Sequence, residues 1–294
     1  MQLARWFGSS EVQLGAALPG HTNQSHLVFA DGGRYVLRRS WRGKPVEQLE
    51  REAAVLDALR AWPVPRLLET RDGARFVVAD GQALQLFHVR DGDRAPRWFG
   101  SGDGERMRAA MAQLARLHGA LAPLPAAPGD PLRWLRARHE RVAARSLASL
   151  PVDAPAILRR IDALLAARAP APLQWLHGDY HLGNLLWRGD ELAAVVDFDD
   201  SDRGAPASEA LLALFALSRT SREDHFEFDR ALWDIGFAAY AALRGAPVLD
   251  CADLEALFCA YQVLIHLEAA QRGLWPLAPG IGFWPCWNFL ARQR

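Results

Sequence analysis

Apolar residues recur along this chain with two different periods, and the change between them divides it near residue 90. Before that point, short segments rich in β-formers, at 12–18, 26–30, 34–39, 66–69, 74–79 and 85–89, alternate with the turn signals Pro19-Gly20, Asp31-Gly32-Gly33, Asp72-Gly73 and Asp80-Gly81. Asp-Gly pairs between such segments are hairpin chemistry. Residues 45–62 switch to a helical period of about 3.6, with Val46, Leu49, Ala53, Leu56 and Leu59 on one face, and Pro63 and Pro65 stop it. The prediction is a five- or six-stranded sheet carrying one long helix.

After a polar, turn-rich stretch at 89–96 that suits a hinge, helical spacing dominates. Met107, Met111, Leu114, Leu117 and Leu121 give the core face of a helix over 105–122, in which His118 reads as a packing histidine. Further helices are predicted at 132–150, 155–169, 202–218, 226–244 and 252–271, with short strands at 173–176, 185–187 and 192–196. Trp275, Phe283, Trp284 and Trp287 near the carboxyl end either close a core or line a pocket. The organisation expected is a sheet-bearing part over residues 1–90 and a larger, mainly helical part over 91–294.

Candidate chemistry concentrates in HGDYHLGNLLWRGDELAAVVDFDD, from His177 to Asp200. Asp179 is followed by Asn184 five positions on, and a strand-like run then leads to Asp197-Phe198-Asp199. Phosphoryl transfer needs such residues. Charge spreads over the phosphoryl oxygens, so the protein supplies hard oxygen ligands for Mg²⁺ and an ionised carboxylate that orients the attacking hydroxyl. Two other readings stand beside it. His177, Asp179 and His181 at alternate positions have the donor types of a transition-metal site, and the cluster also reads as a polar turn between strands.

HGDYHLGNLLW followed by VVDFDD resembles the aminoglycoside phosphotransferase and choline kinase superfamily, whose fold is that of protein kinases. The fold class implied is α+β and two-lobed: a small antiparallel sheet with one long helix, then a larger helical lobe. The resemblance makes Asp179 the catalytic base, Asn184 and Asp197 magnesium ligands, and Asp199 a second acidic metal residue. His177 and His181 brace the loop, and Gly178 stands where protein kinases have arginine. It implies ATP as co-substrate, Mg²⁺ as cofactor and a small-molecule hydroxyl as acceptor. Glu209 lies where relatives carry aspartate, which implies a contact to the catalytic loop.

Two departures follow. No GxGxxG is present, so the candidate phosphate loop is 18–25, with Asn23 and Ser25 as side chains for phosphate. Lys44, the only lysine, follows the third strand instead of lying on it, and Arg38 takes the strand position, paired by inference with Glu52. A guanidinium serves there as a planar, permanently charged phosphate partner. A bacterial Ser/Thr protein kinase of the stress-response kinase A type and a nucleotide-binding pseudokinase are the alternative functions.

Composition narrows the partners. Lys and Arg total 34 and so do Asp and Glu, which gives no basic field for nucleic acid or an anionic membrane. Cys251, Cys259 and Cys286 lack CxxC spacing, and the apolar run 210–217 is too short to span a bilayer. A soluble cytoplasmic protein is expected, and the oligomeric state stays open.

Overall fold

The structure is a computed structural model, and it describes residues 3–8, 11–18, 23–95, 98–148, 150–151, 153–166, 169–222, 225–249, 253–273 and 283–292. After a four-residue helix, α1 (Ala4–Phe7), come strands β1 (Val12–Leu18), β2 (Gln24–Ala30) and β3 (Gly33–Arg39), helix α2 (Val46–Ala58), and strands β4 (Arg66–Leu68), β5 (Val77–Ala79) and β6 (Gln82–His88). The six strands form one antiparallel sheet in the order β1-β2-β3-β6-β4, with β5 also on β6.

Two of the predicted turns are two-residue hairpin loops. Asp31 and Gly32 have φ of 48° and 70°, and Asp80 and Gly81 have 53° and 74°. Both central residues therefore lie in the left-handed region that a twist-matched hairpin requires, which is why Asp-Gly occurs there. Asp72-Gly73 does something different: it joins β4 to β5, which pair with β6 and not with each other. The Pro19-Gly20 turn lies outside the described residues.

Helix α2 presents Leu49, Ala53, Val55 and Leu56 to the interior. It also buries Glu52, which apolar patterning alone does not explain. Residues 89–95 leave the sheet, and β7 (Asp93–Arg94) then pairs with β9 (Leu185–Arg188), so the connecting chain is fastened to the other half.

The remainder is mainly helical: α3 (Gly104–Leu121), α4 (Arg133–Ala143), α5 (Ala154–Leu164), α6 (Pro206–Leu217), α7 (Arg230–Arg244), α8 (Leu254–Gln271) and α9 (Phe283–Arg292). The helices at α4 and α5 end earlier than their apolar spacing suggested. The helix expected from 226 is also shorter. Phe226–Phe228 (β13) is a strand paired with Arg219–Ser221 (β12), and α7 starts only after Asp229, whose carboxylate accepts from Leu232 N as an N-cap. Phe226 and Phe228 instead pack their rings on Phe215 of α6. Phe283 and Trp287 are buried and stack on each other, so they close the core, while Trp275 lies outside the described residues. Among the described residues no helix is long and apolar enough to cross a membrane.

Candidate active site

A short strand, β8 (Gln174–Trp175), delivers the chain into the 177–184 loop, and the hairpin of β9 with β10 (Glu191–Val195) returns it to Asp197. The register sets Val195 opposite Leu185, and Val196 N donates to Asn184 O at 2.9 Å, so the ends bearing Asn184 and Asp197 lie side by side. His177, fully buried, fastens the two loops. Its Nε2 bonds Val196 O at 3.0 Å, its Nδ1 accepts from Asp179 N at 3.2 Å, and its ring packs on Phe198 at 4.5 Å. With both nitrogens engaged by backbone, His177 has no lone pair left for a metal. Among the described residues no group of three His, Cys, Asp or Glu side chains is placed to hold a metal ion.

Gly178 has φ of 86°, and a Cβ there would collide with the carbonyl of Asp200. Below the loop, buried Glu209 of α6 accepts from Gly178 N at 2.5 Å and His177 N at 3.2 Å, and bonds His118 Nε2 at 2.8 Å. His118 in turn bonds Tyr240 OH at 2.7 Å, which makes it the hydrogen-bonded packing histidine expected. Burial pushes the Glu209 carboxyl up, but His118, His177 and the Gly178 amide outweigh this and hold it below its usual range.

Asp179 is held at both oxygens. Tyr261 OH of α8 donates to Oδ1 at 2.5 Å, while Asn184 Nδ2 (3.2 Å) and His181 Nε2 (3.3 Å) reach Oδ2. Burial raises the carboxyl's pKa. His181, by charge and hydrogen bond, and the Tyr261 hydroxyl overcome that and keep Asp179 far below the carboxylate range. In return His181 is pushed up by Asp179 against its own burial, and Tyr261, buried beside an anion, is pushed well above its usual value. The site thus contains a firmly ionised carboxylate that can accept a hydrogen bond from a hydroxyl.

Asp197 occupies a left-handed backbone position, φ 66°, and its side chain is 46% exposed. Partial withdrawal from water raises its carboxyl, Arg38 lowers it, and Asp179, Glu52 and Asp200 raise it further. Asn184 spends its Nδ2 on Asp179 O (2.9 Å) and Oδ2, which leaves Oδ1 as its oxygen donor. An amide oxygen next to a carboxylate crowded by other carboxylates is a donor set that fits a hard divalent cation.

From the sheet, Arg38 of β3 turns inward and Arg39 outward, as alternation requires. Arg38 Nη2 donates to Glu52 Oε2 and to Gln85 Oε1 (2.7 Å), Nη1 lies 3.5 Å from Asp197 Oδ1, and the guanidinium sits over the Phe87 ring. The inferred Arg38–Glu52 pair is formed, and both partners are buried. Ser25 stands opposite Arg38 in the β2–β3 register, and Asn23 Nδ2 donates to Asp199 Oδ2 at 3.2 Å, while residues 19–22 of the candidate phosphate loop lie outside the described residues.

Asp199 is bound by the protein itself: Oδ1 pairs with Lys44 Nζ, Oδ2 takes the Asn23 amide, and its carbonyl accepts from Gln48 Nε2 at 2.8 Å. Lys44, Gln85, Gln48 and Tyr261 are thus members of the site that the sequence reading did not include. A lysine so far from strand register carried no signal, and Tyr261 looked like one more apolar position of α8.

A model of the phosphotransferase enzyme family (APH) matches residues 16–246. The homoserine kinase of Pseudomonas aeruginosa is 30% identical over 192 residues, 63% of this chain and 58% of that protein. The matched stretch thus spans little more than half the length of the curated relative. Among solved structures, an amicoumacin kinase in complex with AMP-PNP, Ca²⁺ and its antibiotic superposes with a TM-score of 0.66 at 17% identity, covering 94% of this chain and 85% of that one. A macrolide 2'-phosphotransferase from Brachybacterium faecium gives 0.56 at 20% identity, covering 92% and 93%. At such identities these likenesses concern the fold, which is the two-part kinase-like one expected from the sequence.

Proposed function

We propose that this chain, which belongs to the phosphotransferase enzyme family, transfers the γ-phosphate of ATP to a hydroxyl group of a small molecule. The observation that carries the reading is the convergence of Asp179, Asn184 and Asp197 beside the buried Arg38–Glu52 pair. Residues 1–90 and 91–294 act as the two lobes, with the nucleotide between them.

In this reading Asp179 orients the acceptor hydroxyl and takes up its hydrogen bond, and its depressed pKa keeps it ionised across the working pH range. Asn184 and Asp197 hold magnesium, which when bound neutralises charge on the phosphate oxygens. Arg38, oriented by Glu52 and Gln85, has its Nη1 left for the phosphates, and Asn23 and Ser25 supply further polar groups for them. Asp199 contributes by holding Lys44 and Asn23 in the site, and its remaining lone pairs are what it would offer to magnesium.

The acceptor class is supported by the homoserine kinase relative, so homoserine stands first in a panel with other amino alcohols, sugars, aminoglycosides and a generic protein substrate. The test measures acceptor-dependent consumption of Mg-ATP by the wild type and by Asp179→Ala. Turnover with a small hydroxyl compound, reduced by a factor of about 10² to 10⁴ in the variant, is expected. Phosphorylation of protein alone, or tight ATP binding without turnover under all conditions, overturns the proposal.

A further inference from the structure

The end of β3 and the turn after it meet the carboxyl ends of α4 and α8 around a cavity of about 310 Å³. Its lining comprises Arg39, Arg42, Arg145 and Arg272, with Gln24, Ser40, Trp41 and Gln82, and it includes no carboxylate. In a chain with equal numbers of acidic and basic residues, four guanidinium groups around one concavity are a local excess of positive charge. Two come from the sheet side and two from helix ends, so no single element's amphipathic face explains them.

Arg272 gives the cavity a fixed wall. Its guanidinium lies 3.8 Å over the Trp41 ring, and Nη2 is held by Glu268 Oε1 at 2.6 Å. Its Nε, buried, has no hydrogen-bond partner. Burial lowers the Arg272 pKa to about 10 against the pull of Glu268 and Asp200, and the charges of Arg145 and Arg138 add to that lowering. A wall built of guanidinium groups suits an oxyanion, because such groups recognise phosphate and carboxylate in bidentate fashion. The volume suits a compact metabolite.

We propose that this cavity is a binding site for a small polyanion bearing phosphate or carboxylate groups, separate from the site of Asp179. Its ligand would bridge Arg39 and Arg42 on the sheet side to Arg145 and Arg272 on the helical side, and so couple occupancy to the relative position of the two halves.

Titration calorimetry on the full chain, at constant ionic strength, with inorganic phosphate, citrate and a chloride control, tests it. The expected result is saturable one-to-one binding of phosphate or citrate that persists with AMP-PNP and magnesium at saturation. The better of the two identifies the anion's chemistry. Arg39→Ala and Arg145→Ala, both at exposed positions, should each weaken binding about tenfold or more, the scale of a lost charge-assisted hydrogen bond. Thermal melting without ligand checks that both variants fold as the wild type does. Binding no stronger than chloride, binding abolished by AMP-PNP, or binding unchanged in both variants overturns the proposal.

Discussion

Asp199 and Asp200 are adjacent in sequence and serve opposite halves of the molecule. Asp199 reaches toward the sheet side, to Lys44 and Asn23, with Gln48 on its carbonyl. Asp200 reaches into the helical side, where Arg138 of α4 pairs with it at 2.7 Å and with Glu268 of α8 at 3.5 Å. Both networks are buried, with Lys44 at 0% and Asp199 at 9% exposed against 5% for Arg138 and Glu268, but the first shares Arg38 with half-exposed Asp197. A buried ion pair contributes little net stability by existing, because desolvation offsets attraction, yet it costs much to break on one side. The contrast teaches that similar pairs differ in consequence: the helical one should govern folding alone, the one beside Asp197 activity as well.

Variants sharpen that division. Arg138→Ala strips two carboxylates of their counter-charge and should lower the unfolding free energy by about 3–5 kcal/mol, read by urea denaturation. A loss under about 1 kcal/mol would end the contrast. Asp199→Asn takes the counter-charge from buried Lys44, so it should lower the unfolding free energy by about 1–3 kcal/mol and also reduce kcat/KM for Mg-ATP by about 10 to 100-fold, as expected of a group that orients site residues from behind. If only its melting temperature falls, both networks are structural.

A third buried carboxylate allows a pH test. The pKa of Glu209 is depressed in the folded state, so its contribution is complete above the usual 4.5 and is lost as pH falls through the folded value. Glu209→Gln should therefore cost about 1.5–3 kcal/mol at neutral pH, the scale of hydrogen bonds to a charged group, with the gap to wild type closing below pH 4.5. A gap that stays constant down to pH 3 would mean that the charge on Glu209 is irrelevant. At the low end, Arg230→Ala opens the exposed i,i+4 pair with Asp234 and should leave the melting temperature unchanged.

The parts legible in the sequence were those encoded locally. Asp179, Asn184 and Asp197 sit on one loop and one hairpin, so their spacing alone brings them together. The pairing of Arg38 with Glu52 comes from the resemblance, which has a basic residue at that strand position; on helical spacing alone Glu52 reads as solvated. Lys44 and Asp199 are 155 residues apart, and their contact depends on how the turn after β3 settles on the 197–200 loop, which no periodicity reports. Tyr261 is similar: its hydroxyl meets Asp179 across 82 residues, while its ring obeys the core pattern of α8. Phe226 and Phe228 misled because apolar residues near a helix start fit either period, and the N-cap at Asp229 decides between them.

The carbonyl of Asp200 touching the face of Gly178 has an evolutionary implication. Protein kinases keep arginine at that place in their own triplet, and here every side chain is shut out by main chain, which cannot rotate away as a side chain could. A library randomised at codon 178 should return glycine alone among folded clones. Any side chain at 178 therefore requires the main chain at Asp200 to move first.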